Sequence, residues 1–114
     1  MRYLTAVFIA AALVTSTLAQ YPLVINTPVG PVVQCVPTEI IWEGGVAPFF
    51  LNITDHGPET VESEIFFDLL GQSFIWATDF PARTVVQFSI SDGVGETAFS
   101  GPVLIRESDD SSCL

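Results

Sequence analysis

The chain has 114 residues, of which 49% are hydrophobic, and its three basic residues, all arginine, face 13 acidic residues for a formal net charge of −10. So acidic a surface repels phosphate backbones and anionic lipids, which argues against nucleic-acid binding and electrostatic membrane docking. The length suits one small domain with a modest core, to which a covalent cross-link would add stability.

The first 19 residues have the pattern of a secretory signal peptide. Arg2 supplies a positive charge, residues 6–14 form an apolar run, and residues 17–19 include the small side chains that a signal peptidase reads. A membrane anchor is less favoured, because spanning a bilayer takes about 20 apolar residues. We therefore expect cleavage after Ala19, a mature chain from Gln20 without a stable membrane anchor, and an extracellular location.

The rest of the chain consists of short runs of β-branched and aromatic residues, separated by Gly, Pro, Asn and Asp. This spacing is typical of an antiparallel β-sandwich. The first two runs, 23–25 and 32–35, lie among four prolines, which suits an edge strand that breaks or changes sheet. In the third run, 38–43, the alternation of apolar and polar residues puts Ile40 and Trp42 on one face.

The remaining runs continue this pattern. Residues 49–54 and 86–90 alternate, Phe74 and Trp76 share a face, a hairpin turn follows at 92–96, and residues 97–105 form the last strand. The segment 64–70, EIFFDLL, fits either a strand or a helical turn. We predict an all-β fold, an immunoglobulin-like or fibronectin-type antiparallel β-sandwich of about seven strands, as a single domain over residues 20–114.

The only two cysteines, Cys35 and Cys113, are expected to form a disulfide, because the secretory route is oxidising. The bridge closes a loop of about 79 residues, worth roughly 4 kcal/mol in the chain-entropy model. Since the first and last strands of a sandwich lie near each other, the bridge would fix the polar tail to an early strand. A free thiol or an intermolecular bridge remains an alternative.

Candidate catalytic groups are few. The single histidine, His56, lies in a turn cluster, and a hydrolase triad would have to be built around it. Acidic side chains that could form a glycosidase pair or bind calcium are Asp55, Glu59, Glu62, Glu64 and Asp68. Their spacing matches no calcium loop, and a domain this small offers little cleft for a sugar. We predict no catalytic residues, no cofactor and no metal site, and keep an acidic glycosidase as the less favoured alternative.

Two features point to carbohydrate. Asn52-Ile53-Thr54 is an N-glycosylation sequon, and Asn52 falls on the outward side of its strand, so we predict a glycan there. Exposed aromatic rings would indicate carbohydrate binding, because ring faces pack against sugars. The candidate rings are Phe50, Phe66, Phe67 and Phe80. Most aromatic side chains of so small a domain should nevertheless lie in the core.

Several stretches resemble a family of small secreted fungal proteins, best represented in basidiomycetes: LVINTP, VVQCVP, IIWEGGVAPFFL, SFIWATD and SDDSSCL. The family domain is similar to the N-terminal immunoglobulin-like module of Ser/Thr-rich, GPI-anchored cell-wall proteins, which are related to yeast proteins needed for cell-wall β-1,6-glucan. The resemblance covers residues 20–114. Its most specific pieces are Cys35 with Pro37, Trp42 with Gly44, Gly45 and Pro48, and Cys113 with Leu114.

The resemblance implies a β-sandwich and an extracellular or wall location, and it supplies no catalytic residues. No Ser/Thr-rich stalk or hydrophobic GPI tail follows Leu114, so we expect release or non-covalent retention. The leading functional hypothesis is a secreted, non-enzymatic domain that binds wall polysaccharide or wall protein. The alternative is a small secreted effector-like protein that binds a host or partner protein.

Overall fold

The fold is all-β, as the sequence predicts. The computed structural model describes residues 21–56 and 62–114, so the predicted signal peptide and its cleavage site lie outside the described residues. The described residues form nine strands and no helix, hence none that could cross a membrane. The strands are β1 (Val24–Ile25), β2 (Val32–Val33), β3 (Thr38–Glu43), β4 (Phe49–Asp55), β5 (Ser63–Leu69), β6 (Ser73–Trp76), β7 (Val85–Ser91), β8 (Thr97–Phe99) and β9 (Val103–Arg106).

The strands form two sheets packed face to face in an immunoglobulin-like sandwich. One sheet has three strands in the order β1-β3-β6, and the other has six, in the order β2-β9-β7-β4-β5 with β8 also paired to β7. Every pair is antiparallel except β2 with β9, which is parallel. The larger sheet therefore ends in β2 at one edge and in β5 at the other.

The first strand changes sheet, which confirms the interpretation of its prolines. β1 pairs with β3 in the smaller sheet, whereas β2 pairs with β9 in the larger one. The connection between them contains Pro28 and Pro31, which have no N–H group to donate to a ladder. The chain thus crosses the open side of the sandwich between residues 26 and 31.

The last strand differs from the prediction, because residues 97–105 form two strands instead of one. Both β8 and β9 pair with β7, and the ladder is interrupted at residues 100–102. There the Oγ of Ser100 accepts a hydrogen bond from the backbone N–H of Phe88 at 3.0 Å, and Pro102 cannot donate. The segment 64–70, for which the sequence fits either a strand or a helical turn, lies mostly in strand β5. Together these changes account for nine strands instead of about seven.

The core lies between the sheets and follows the predicted alternation. Both tryptophans are buried, Trp42 at 0% and Trp76 at 1% exposure, as predicted. The Trp76 ring contacts Phe80 and Phe88 edge-to-face, with centroids 5.9 and 5.5 Å apart. Among the described residues, the other fully buried apolar side chains are Val32, Ile40, Phe49, Leu51, Ile53, Val86, Phe88, Ile90 and Ile105. Each such burial contributes about 1.5–3 kcal/mol.

The predicted disulfide is confirmed. Cys35 lies two residues after the end of β2 and is bonded to Cys113, with a Cα–Cα distance of 5.5 Å. The amide of Gln34 reinforces the attachment, since its Nε2 donates to the carbonyl of Asp110 at 2.7 Å and its Oε1 accepts from the backbone N–H of Ala82 at 2.8 Å. The tail is therefore fixed beside the sheet edge instead of between the sheets.

Candidate functional site

The outer face of the larger sheet is uncharged over most of its area, in a chain that carries 13 acidic residues. We name this surface the neutral face. The outward residues of β4, β5, β7 and β8 that define it are Phe50, Asn52, Thr54, Ser63, Ile65, Phe67, Gln87, Ser89, Ser91, Thr97 and Phe99. Charged side chains at its borders include Glu62 before β5, Asp68 at the end of β5, Glu96 before β8 and Arg106 on β9.

Strand register places these side chains in rows. Phe99 lies opposite Ser89, Ser89 opposite Asn52, and Asn52 opposite Ile65, so one row crosses four strands. With neighbouring strands about 4.8 Å apart, the row is about 14 Å long. An apolar side chain stands at each end of the row, and a hydroxyl and an amide lie between them.

Two of the four predicted aromatic candidates lie on this face. Phe50 is 37% exposed and Phe67 is 62% exposed, and their ring centroids are 5.6 Å apart. The register shift between Phe49 and Leu51 in the β4–β5 pairing brings the two rings together. A third exposed ring, Phe99 at 66%, was not predicted. The signal for it was the alternation in β8, which puts Thr97 and Phe99 on one side and Ala98 on the other.

The structure corrects the expectation for the other two rings. Phe66 points inward from β5, and its ring centroid lies 4.5 Å from that of Phe74. Phe80 is only 7% exposed, because it packs against Trp76 in the core. Neither ring presents a face to a ligand on the surface.

The sequon residue Asn52 is half-buried near the middle of the neutral face, on the outward side of β4 as expected. Its Oδ1 accepts a hydrogen bond from the Thr54 hydroxyl at 3.2 Å. The two polar residues of the sequon therefore lie next to each other on one side of the strand. That the site carries a glycan remains a prediction.

A second cluster joins two carboxyl groups to a core tryptophan. The Trp76 indole N–H lies 3.0 Å from Glu64 Oε1 and 3.0 Å from Asp79 Oδ1. Burial, followed by the hydrogen bond and negative charge of Asp79, raises the pKa of Glu64 to about 7, against the opposing effect of the indole hydrogen bond. Asp79 is not among the acidic candidates predicted from the sequence, since only the folded chain brings it beside Glu64.

This carboxyl pair does not have the geometry of a glycosidase. The two acids of such an enzyme stand about 5–5.5 Å apart or more, with the scissile bond between them. Here Glu64 Oε1 and Asp79 Oδ1 each lie 3.0 Å from the same indole nitrogen of Trp76, so a core side chain occupies the space where a scissile bond would have to lie. Of the other acidic candidates, Asp55 ends β4, with its backbone N–H bonded to the carbonyl of Glu62 at 2.8 Å, and Glu59 lies outside the described residues.

The Glu64 carboxyl makes stability depend on pH. It holds its proton up to about pH 7 in the folded protein but loses it near 4.5, its ordinary value, when unfolded. Its contribution is therefore complete below pH 4.5 and is lost as the pH rises through 7. Solvent screens this half-buried group, so we expect about 1–2 kcal/mol. In Glu64→Gln, the difference in Tm between pH 5 and pH 8 should shrink.

The control for this prediction is Glu39→Gln, on the exposed face of β3, which removes one negative charge at pH 8 as Glu64→Gln does. Its Tm difference between the two pH values should match that of the unmodified protein. Equal pH dependence in Glu64→Gln and Glu39→Gln would contradict the assignment.

Two further titratable side chains, Asp92 and His56, take part in hydrogen bonds within the fold. The carboxylate of Asp92, 3% exposed, accepts backbone hydrogen bonds from Val46, Val94 and Glu96, which hold its pKa below the usual value although burial acts to raise it. His56 is exposed, with Nε2 2.8 Å from Gln87 Oε1. Within residues 21–56 and 62–114, no group of three or more His, Cys, Asp or Glu side chains is placed to hold a metal ion.

A groove of about 730 Å³ lies where residues 26–31 cross between the sheets. Its walls include three prolines, Thr38, Glu39 and Ile41, and no aromatic ring among the described residues that line it. It offers a sugar no stacking surface and carries a carboxylate, so the neutral face is the better candidate site for a neutral ligand.

Comparison with known proteins gives no matching family model, no matching curated protein and no matching solved structure.

Proposed function

We propose that this chain is a secreted, non-catalytic immunoglobulin-like domain of the extracellular space or fungal cell wall that binds a neutral wall polysaccharide through the neutral face. The observation that carries the proposal is an uncharged sheet face with three exposed phenylalanines, Phe50, Phe67 and Phe99, on a protein of net charge −10. The signal sequence and the resemblance to fungal wall proteins support the location.

The chemistry of the neutral face matches that of a neutral sugar polymer. Aromatic rings pack against the C–H faces of sugar rings, while hydroxyl and amide groups such as those of Ser89 and Ser91 donate to and accept from sugar hydroxyls. A charged polymer would find no counter-charge among Phe50, Ser89 and Phe99. Binding through such contacts should resist salt, because screening acts on charges.

Retention on insoluble β-glucan, chitin and whole fungal wall tests the proposal, with protein made without N-glycans. We expect retention that persists at high salt and a roughly tenfold weaker affinity in Phe50→Ala/Phe67→Ala, which removes the stacking surface. The matched control is Val24→Ala/Ile75→Ala on the outer face of the smaller sheet, which should bind normally. No retention on any of the three materials would overturn the proposal.

A protein partner is the second candidate, favoured by the outer face of the smaller sheet. Val24, Ile41 and Ile75 are 47%, 40% and 58% exposed there. Glu39 pairs with Ile75 and Glu43 with Val24, so carboxylates flank these aliphatic side chains. Such a surface fits an apolar patch with a basic rim on another protein, as the effector-like alternative requires. In that case Ile75→Asp should abolish binding that Phe50→Ala/Phe67→Ala leaves intact.

A further inference from the structure

We propose that the N-glycan carried by Asn52 folds back onto Phe50, so that the protein's own glycan occupies the Phe50–Phe67 half of the neutral face. The inference concerns the modification of this chain, and only its regulatory consequence rests on the proposed function.

The sequence of β4 places the attachment point and the ring side by side. Phe50, Asn52 and Thr54 occupy successive outward positions of one strand. Outward side chains two residues apart along a strand are separated by about 7 Å, within reach of a sugar linked to the Asn52 amide. The first sugar can therefore lay its C–H face against the exposed Phe50 ring.

The neighbouring strand extends this apolar platform. Ile65 lies directly opposite Asn52 on β5 and is 48% exposed. Phe67 contacts Phe50, with ring centroids 5.6 Å apart. Asn52 thus stands beside three exposed apolar side chains, while its neighbour across β7, Ser89, offers a hydroxyl to sugar oxygens. Because the glycan is covalently attached at Asn52, it stays next to these apolar side chains, and they are covered without any separate ligand.

A glycan at Asn52 would also protect the β5 edge of the larger sheet. β5 is a seven-residue edge strand whose outer side pairs with no described strand. An exposed edge with apolar side chains is a template for pairing between molecules, which natural proteins block. A glycan is bulky and strongly hydrated. Attached one strand away from this edge and lying across Ile65 and Phe67, it would keep a second chain from pairing with β5.

The consequence for binding is a division of the neutral face. In the glycosylated protein the Phe50–Phe67 half is covered, and the half around Phe99, Thr97 and Ser91 stays open. In the glycan-free protein both halves are open. Occupancy of Asn52 therefore sets how much of the face a wall polysaccharide can reach.

The test uses the secreted chain made in an N-glycosylating host. Intact mass before and after enzymatic removal of N-glycans should show one glycan, absent from Asn52→Gln. The glycosylated protein should have a Tm higher than that of Asn52→Gln by roughly 4 °C, as expected for one stacking contact in a domain of this size. The same difference measured in the Phe50→Ala background should fall to near zero.

The matched control is Phe99→Ala, on the same face but two strands, or about 10 Å, from Asn52 and on the side away from Phe50 and Phe67; there the glycan-dependent rise in Tm should persist. Thr54→Ala, a second way to lose the sequon, should reproduce the Tm of Asn52→Gln. An unoccupied Asn52, or an equal rise in Tm with and without Phe50, would overturn the inference. A normal glycan effect on Tm together with no polysaccharide retention would overturn the proposed function alone.

Discussion

Replacing both bridged cysteines, Cys35→Ser with Cys113→Ser, is expected to lower the free energy of unfolding by about 4 kcal/mol. The bridge joins residues 78 apart in sequence, so the unfolded chain gains much conformational freedom without it. Small domains have total stabilities of about 5–15 kcal/mol, and this loss would take a large share. The double variant is preferable, because a single substitution leaves an unpaired thiol that can join two molecules.

Urea unfolding measures this loss, and hydrogen exchange locates it. Without the bridge, the tail keeps only contacts such as that of Gln34 Nε2 with the Asp110 carbonyl, so backbone amides after Glu107 should exchange faster. Ser112→Ala is the control, since it removes a tail hydroxyl that bonds to Asp110 at 2.6 Å but leaves the bridge intact. A double variant as stable as Ser112→Ala would contradict the prediction.

The second large effect is a difference in stability loss when each of the two core tryptophans is replaced by phenylalanine. Trp76→Phe should destabilise the protein by about 3 kcal/mol and Trp42→Phe by about 1 kcal/mol. Both side chains are buried and lose the same volume, but their indole nitrogens differ. Trp76 Nε1 donates to Glu64 and Asp79, whereas Trp42 Nε1 has no hydrogen-bond partner among the described residues. Removing an unpaired buried N–H offsets part of the cost of the cavity.

Each variant keeps one tryptophan, so fluorescence during urea unfolding reports on the one that remains. In Trp42→Phe the emission of Trp76 should also change between pH 5 and pH 8, when the neighbouring Glu64 loses its proton. In Trp76→Phe the emission of Trp42 should not change over this range. Equal destabilisation of the two variants would show that the indole hydrogen bonds contribute nothing.

The sequence was sufficient for features that depend on local alternation or on a small number of partners. Ile40 and Trp42 are buried because apolar residues alternate in β3, and with two cysteines only one intramolecular bridge exists. Features that depend on register between distant strands could not be predicted. Phe66 and Phe67 are adjacent and identical, and only the β4–β5 register, which sets Phe66 opposite the buried Leu51, decides which one faces the core.

The carboxyl cluster and the burial of Phe80 could not be predicted from the sequence either, because they too depend on distant parts of the chain. Glu64 and Asp79 approach each other because β5 and the residues after β6 meet at Trp76, which requires the packing of two sheets. Phe80 turns inward after Thr78, whose φ is +53°, a left-handed conformation that nothing in the local sequence signals. The neutral face likewise emerges only when four strands are aligned.

The separation of 78 residues between Cys35 and Cys113 also determines when the disulfide can form during synthesis. A ribosome adds about 5–20 residues per second, so Cys35 exists for roughly 4–16 seconds before its partner has been made. β2, close to it in sequence, waits almost as long for β9, the only one of the described strands with which it pairs. During this interval the nascent chain exposes a reactive thiol and the side chain of Val32, and it depends on its surroundings to keep both from reacting or associating elsewhere.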